Sequence, residues 1–473
     1  MFENKGGEKI VDEKRQGEIF EVIGNTSKAR RVYIESYGCQ MNFNDSEIVA
    51  AILDQHGYQP TGELEQSDLI LVNTCSIRDN AEQNIRKRLT IYNKAKKSNP
   101  SVVVGILGCM AERLKDELLE EKMVDIVVGP DAYRSLPQLI EQAQHGNKGI
   151  NVLLSKEELY DDIQPVRIDS NGVSAFITIM RGCNNMCSFC VVPFTRGRER
   201  SRSSYSIIAE AIDLFEKGYR EVTLLGQNVD SYSWTNPEDN SVVSFARLLG
   251  MVADISPLLR VRFATSHPKD ITDEVIYTIA RYPNICKYIH LPVQSGSTRL
   301  LDLMKRTYDQ EWYLERVNKI YSVIPEVAVS SDIIAGFCTE TEEDHQQTLK
   351  IIQEVKYSMS YMFYYSERPR TYAERNLKDD VPIEVKKRRL NEIIQLQNEV
   401  SLQHNLADVS KTFEVLIEGD SKKSDEFHKG RTTQNKMVIF PKTGAFTNGD
   451  YVMVEITEAN SATLKGHIVN QKS

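Results

Sequence analysis

The sequence predicts a multidomain α/β protein with three parts: an N-terminal parallel α/β sheet domain, a central partial (β/α)6 barrel and a small C-terminal antiparallel β-barrel. Three observations predict it. Apolar strands alternate with amphipathic helices over residues 32–130 and again from about 174, the rhythm of parallel βαβ units. After one long helical stretch the chain ends in short alternating segments broken by Gly, Asn, Lys and Asp, the pattern of a small closed sheet. Finally, 473 residues suffice for about three domains at roughly 150 residues each.

Residues 1–30 are charged, lack an apolar stretch and read as a flexible leader, neither signal peptide nor anchor. The first domain is expected over 31–148. VYIESYGC leads into NDSEIVAAILDQHG, DLILVNTC into DNAEQNIRKRLTIYNKAKK, and VVVGILGC into AERLKDELLEEK; VDIVVG adds a further strand. Cys39, Cys75 and Cys109 each end a strand just before a helix. In a parallel sheet those ends share one edge, where such folds bind ligands. A lone cysteine there reads as packing. Three in equivalent places read as a shared metal site, with helix N-termini favouring the thiolates.

Residues 131–170 read as a connector ending in the polar DSNGVS. The second domain is expected over 169–402. Its strands are SAFITIM, EVTLLGQN, RVRFATS, KYIHLPVQ, VAVSSDIIAGF and MSYMFYYS, with helical patterns between them. Six strands rather than eight predict an open barrel. Residues 381–408 predict one long helix starting at a proline. The third domain, 405–470, holds FEVLIEG, KMVIFP, DYVMVEITEA and TLKGHIV.

Hydrophobic residues make up 41% and charged residues 26%, ordinary globular material. The apolar runs are too short to span a bilayer, so no membrane association is expected. Eight cysteines without a secretory leader point to ligands in a reducing cytoplasm. A net charge of −9 argues against a protein coated in nucleic acid but leaves room for a local basic groove. Neither a phosphate-cradling G-x4-G-K-[ST] nor H-E-x-x-H occurs, so nucleotide hydrolysis and zinc proteolysis find no support.

The stretch RGCNNMCSFCVVPFTRGRERSR packs Cys183, Cys187 and Cys190 into one loop. A structural zinc site would need a fourth Cys or His, and no His lies near. A bacterial ferredoxin would add a fourth Cys followed by Pro, absent here. A cubane with one iron left open fits the spacing. C-x3-C-x2-C with an aromatic, Phe189, before the last cysteine resembles the signature of the radical S-adenosylmethionine enzymes. In that superfamily the amino and carboxylate groups of S-adenosylmethionine take the fourth iron. The loop also follows the first barrel strand, at the end where barrel active sites sit.

With YGCQMNFNDSE, VNTCSIRD, LGCMAE, VVPFTRGRERSRS, LLGQNVDSY, SHP and HLPVQSGS, the resemblance extends to the methylthiotransferase family over about residues 31–470, the tail resembling its TRAM domain. RGC, VVPFTRGRE and GQNV favour the branch acting on isopentenyladenosine beside the anticodon. The resemblance implies two 4Fe-4S clusters, one on Cys39, Cys75 and Cys109, the other on Cys183, Cys187 and Cys190. It implies two S-adenosylmethionine molecules per turnover: one methylates a cluster-bound sulfur, the other yields a radical that activates C2 of the base. It also implies a tRNA anticodon stem-loop as partner and a flavodoxin- or ferredoxin-like one-electron donor. One departure stands out: Gly336, Phe337, Cys338, Thr339, Glu340 and Thr341 replace the usual Gly-Phe-Pro-Gly-Glu-Thr, which bears on the shape of that loop. Cys286 and Cys338 read as packing thiols.

Gln227, Asn228, Ser266, His267, Gln294, Gly296, Asp332 and Gly336 fall at expected C-terminal strand ends. There they join Phe189 as candidate cofactor contacts, although polar residues in such places also serve as helix caps. Arg196, Arg198, Arg200 and Arg202 recur with period two, so on a strand they would share one face. Arg196, Arg198 and Arg202 are candidate RNA contacts, as are Lys429 and Arg431 in the tail; unpaired loop bases can be splayed into a pocket. Two other readings remain: a sister enzyme acting on threonylcarbamoyladenosine or on a ribosomal-protein aspartate, and a non-catalytic iron–sulfur RNA-binding or redox protein.

Overall fold

The computed structural model describes residues 18–19, 30–75, 79–167, 171–422 and 424–469. Five parallel strands lie side by side in chain order: β1 (Arg30–Tyr37), β2 (Leu69–Thr74), β3 (Val103–Leu107), β4 (Ile126–Val128) and β5 (Gly149–Asn151). Tyr37 pairs with Thr74, and Asn73 with Leu107, so the ends preceding Cys39, Cys75 and Cys109 are level. β2 is buried throughout because both faces of the sheet are covered. Leu69 and Leu71 join the cluster around the helix Gln40–Asp54, while Ile70 and Val72 join the opposite one with Tyr92 and Val104. Burying each such side chain contributes about 1.5–3 kcal/mol.

The expected connector is structured. The helix Leu136–Gln144 and β5 add one more α/β unit to the first sheet. LPQLIEQAQ carries the amphipathic spacing: Leu136, Leu139 and Ile140 are the buried positions. Of the expected leader, only Glu18, Ile19 and Arg30 fall within the described residues. Glu18–Ile19 forms a short antiparallel strand against β1.

Six further parallel strands form the central domain in two groups of three. These are β6 (Ser174–Thr178), β7 (Glu221–Leu225) and β8 (Arg260–Ala264), then β9 (Tyr288–His290), β10 (Ala328–Ala335) and β11 (Met359–Tyr364). A bridge from Val261 to Ile285 joins the groups, giving an open barrel of six strands. Helices that follow strands start on side-chain caps: Thr272, Ser297 and the Thr341–Asp344 capping box. The helix Ile383–Leu406 follows Pro382, as the proline predicts.

The C-terminal strands β12 (Thr412–Ser421), β13 (Ser424–Arg431), β14 (Met437–Pro441), β15 (Tyr451–Ala459) and β16 (Thr463–Ile468) close into a barrel in the order β12-β13-β14-β16-β15. It docks beneath the N-terminal ends of the central strands. Arg260, first residue of β8, donates to the Arg431 carbonyl at 2.7 Å and to Glu414; Arg262 reaches the Thr432 carbonyl at 2.7 Å. Tyr451 donates to the carbonyls of Arg220 and Leu258, just ahead of β7 and β8. No helix among the described residues is long and apolar enough to cross a membrane.

Candidate metal centres and their buried interface

Glycines set the geometry of the first cysteine set. Gly38 has φ +126°, and a Cβ there would stand 2.3 Å from the Cys75 Cβ; Gly108 has φ +85°, and a Cβ would meet Asn73 Oδ1 at 2.3 Å. Only a missing side chain lets these strand ends approach so closely. Beneath the cysteines lies a buried polar layer. Asn42 Nδ2 donates to Asn73 Oδ1 at 3.0 Å, and Asn73 Nδ2 to the Asn42 carbonyl at 2.8 Å. The Cys39 Sγ lies 3.2 Å from Asn42 Oδ1. A hydrogen bond from Cys75, aided by the charge of Arg196, pulls the Cys39 thiol down to about 6 against its burial. Burial pushes Cys109 up, with Arg196 opposing it.

The second set sits on an excursion closed by a small hairpin, Met180–Arg181 paired with Arg200–Ser201. The Gly182 φ of +79° brings its chain so near Arg198 that a Cβ would lie 2.0 Å from that carbonyl. Inside the loop Cys190 N–H donates to the Cys187 carbonyl at 3.0 Å. Ser188 ties the loop to the carbonyls of Leu303 and Met304. The Phe189 ring meets Phe337 edge-on at 6.4 Å, so it braces the loop against the core. Arg306 Nη1 donates to Cys187 Sγ at 3.2 Å. Burial pushes Cys183 and Cys190 up to about 12, so a metal binding here displaces protons.

Among the described residues, neither triplet gathers its sulfurs within 4.8 Å of one another. Three thiols in each set are the donor chemistry of an iron–sulfur cluster.

The two sets meet at a buried ionic interface, and here the arginine run departs from expectation. Arg196 ends a helix, Val192–Arg196, and Arg200 and Arg202 lie beyond it, so the arginines share no strand face. Arg196 is 3% exposed and donates to Asp45 Oδ2 at 2.9 Å. Arg200 pairs with Asp131 at 2.9 Å, Arg202 with Glu210, and Arg181 with Asp45. Arg196 and Arg202 are therefore not available to RNA phosphates: a desolvated guanidinium stays with its buried acid. Arg198 is exposed. Arg431 is half-buried 3.6 Å from Glu418, and its carbonyl holds Arg260, so it serves the domain contact. Lys429, on β13, is half-buried.

The other candidates divide. Gln227 Oε1 accepts from the Gly182 N–H at 2.5 Å, which fixes the entry to the cysteine loop. Asn228 Nδ2 donates to Asp270 at 2.7 Å while its buried Oδ1 has no partner, and the buried Ser266 Oγ has none either. Beside them lies Asp230, which the sequence reading missed. Both its carboxylate oxygens are buried with no well-formed hydrogen bond; burial pushes it up to about 7, against the nearby Ser266 hydroxyl, which favours the charged form. These unmet atoms at the ends of β7 and β8 are what a polar ligand would satisfy. Burial, Arg306 and Lys269 push His267 down to about 2; the ring stays neutral, with Nδ1 facing the Lys269 N–H at 3.3 Å. Asp332 lies 3.5 Å from His290 Nε2 and is partly open. Gln294 has φ +72° and bridges to Ile333 through its backbone.

Gly296 and Gly336 face protein instead. A Cβ at Gly296 would meet the Gln347 carbonyl at 2.3 Å, and one at Gly336 the Lys386 Cγ at 2.3 Å. Cys286 and Cys338 are buried. Thr339 keeps a left-handed φ of +64°. Thr339→Gly is expected to raise stability by up to about 1 kcal/mol, since a side chain in that region costs about 1–2 kcal/mol. A thermal melt checks this; a lower midpoint would mean that the Arg299 hydrogen bond to Thr339 Oγ1, at 3.0 Å, outweighs the strain.

Models of three families match the chain: Uncharacterized protein family UPF0004 over residues 31–129, the Radical SAM superfamily over 177–352 and the TRAM domain over 407–469. The tRNA-2-methylthio-N(6)-dimethylallyladenosine synthase of Amoebophilus asiaticus is 59% identical over 460 residues, covering 95% of this chain and 94% of that protein. The enzyme of the same name from Christiangramia forsetii is 54% identical, covering 97% and 98%. Among solved structures, the radical S-adenosylmethionine methyltransferase TsrM from Kitasatospora setae aligns with TM-score 0.54 at 13% identity, covering 73% of this chain and 74% of that one. That likeness is one of fold.

Proposed function

This chain belongs to the family of tRNA-2-methylthio-N(6)-dimethylallyladenosine synthases, and from that premise we propose how its residues divide the work. It is a radical S-adenosylmethionine transferase that places a methylthio group on C2 of N6-isopentenyladenosine beside the anticodon of tRNA. When bound, its iron–sulfur groups and S-adenosylmethionine supply the electron, the carbon radical and the sulfur, chemistry that no protein side chain provides. We assign one 4Fe-4S cluster to Cys183, Cys187 and Cys190 and a second to Cys39, Cys75 and Cys109. The observation that carries this division is contact between the two sites: the helix opening at Cys109 packs against the helix that follows Cys190.

The remaining residues bind, orient and shield. Gln227 and Ser188 hold the central loop in place. Asn228, Asp230 and Ser266 offer buried polar atoms to S-adenosylmethionine, and Phe189, His267, Gln294 and Asp332 are proposed as further contacts to it. Arg198 and Lys429 are the cations left for RNA backbone. The domains are taken as 31–148, 169–402 and 405–470 after a leader of 1–30, with β5 belonging to the first sheet. A flavodoxin- or ferredoxin-like protein delivers electrons, and the reducing chemistry suits the cytoplasm.

Metal analysis after anaerobic reconstitution tests the division. Wild type is expected to hold about eight irons, and a Cys39→Ala, Cys75→Ala, Cys109→Ala chain about four. About four in both would make the strand-end cysteines structural, and zinc in place of iron would end the radical reading.

A further inference from the structure

Arg196 differs from every other buried arginine of the interface. It comes from the central domain, yet its guanidinium lies within the first domain's cysteine site. Nη2 donates to Asp45 at 2.9 Å, while the buried Nη1 forms no full hydrogen bond, and the guanidinium is turned toward the Cys109 thiol. Arg181, Arg200, Arg260 and Arg389, the other arginines with an unmet buried nitrogen, leave only the inner Nε unmet. A buried donor left unmet costs about 1–3 kcal/mol, and more when charged. An unmet terminal nitrogen in a native site thus marks the place of an absent acceptor.

Charge identifies that acceptor. Among the described residues, the ion pairs of Arg181, Arg196 and Arg200 go to two acids, Asp45 and Asp131, one fewer than the arginines. The helix that Arg196 ends packs against the helix that Cys109 opens, so the groups beside it that can carry negative charge include the thiols of the first site. A cluster core held by three thiolates is an anion with acceptor sulfurs, and hydrogen bonds and charges near such sulfurs tune its potential.

We propose that Arg196 is a positioning residue of the first cysteine site, its free Nη1–H donating to anionic sulfur held there and its charge raising the reduction potential of that cluster. This rests on the two-cluster reading above. Asp45 then acts as a counterweight, restraining the guanidinium and offsetting part of its charge.

The test is a redox titration followed by electron paramagnetic resonance on the reconstituted full chain, with iron counted in each sample. Arg196→Gln is expected to make reduction of the first cluster at least tenfold less favourable, about 59 mV for one electron, and to leave the central cluster in place. Arg196→Lys is expected to recover most of that shift. Asp45→Asn is expected to move the same cluster in the opposite direction. Eight irons with an unmoved potential in Arg196→Gln, or shifts of one sign in Arg196→Gln and Asp45→Asn alike, overturn the role of Arg196 alone. If Arg196→Gln fails to load, Asp45→Asn decides: an upward shift supports the role, and no shift or a downward one ends it. About four irons in the wild type overturn the two-cluster reading, and this proposal with it.

Discussion

A Cys109→Ala chain is expected to go on cleaving S-adenosylmethionine while making no methylthiolated nucleoside, and a Cys187→Ala chain to do neither. The asymmetry follows from where the cysteines stand. Cys187 lies in the central loop, its Sγ held by Arg306 at 3.2 Å. Cys109 opens a helix in the first domain. Losing a ligand should lower product formation by more than about 100-fold, the upper end for losing an outer partner of a metal site. Nucleoside mass spectrometry of anticodon stem-loops, with deoxyadenosine counted in parallel, separates the two variants. Methylthiolated product at wild-type rate from Cys109→Ala would remove the first cysteine set from the reaction.

Arg181→Leu is expected to loosen the first domain from the second. Arg181 is 1% exposed, pairs with Asp45, stands 3.8 Å from Asp131, donates to the Pro130 carbonyl at 3.3 Å and lies over the Tyr160 ring. Removing one member of a buried pair costs about 3–5 kcal/mol because its acid stays behind. Since 1.36 kcal/mol is a factor of ten, amides of the helix Gln40–Asp54, which carries Asp45, should exchange hydrogen about 150- to 5,000-fold faster. Acceleration below about tenfold would mean that apolar packing, not these ions, holds the interface.

The same ions show where sequence reasoning stops. Strand rhythm and cysteine placement were legible because both are periodic: a period of two or 3.6 is set by local backbone geometry, and three cysteines repeat at one phase of it. The helix Leu136–Gln144 carried its own spacing but stood in a stretch whose polar end suggested a connector. The arginine run misled for a related reason. Its period of two was real, but Val192–Arg196 turns as a helix, and the acids that claim Arg196 and Arg200 are Asp45 and Asp131, far away in the chain. Pairing across domains leaves no local trace. Asp230 was missed because a carboxylate two residues after Asn228 looks like any cap. Its burial without a well-formed hydrogen bond appears only once the neighbours are placed.

The small barrel under β7 and β8 has a geometric consequence. The cysteine loop leaves the C-terminal end of β6, whereas the small barrel touches the N-terminal ends of its neighbours. The five residues of each of these strands, at about 3.3 Å each, separate the two ends by roughly 17 Å. An RNA touching both must run down the outer wall of the molecule, so the enzyme would measure its substrate like a calliper. A nucleotide or bare loop could fill the upper jaw, but only an arm with a stem long enough to reach the lower one would be gripped at both.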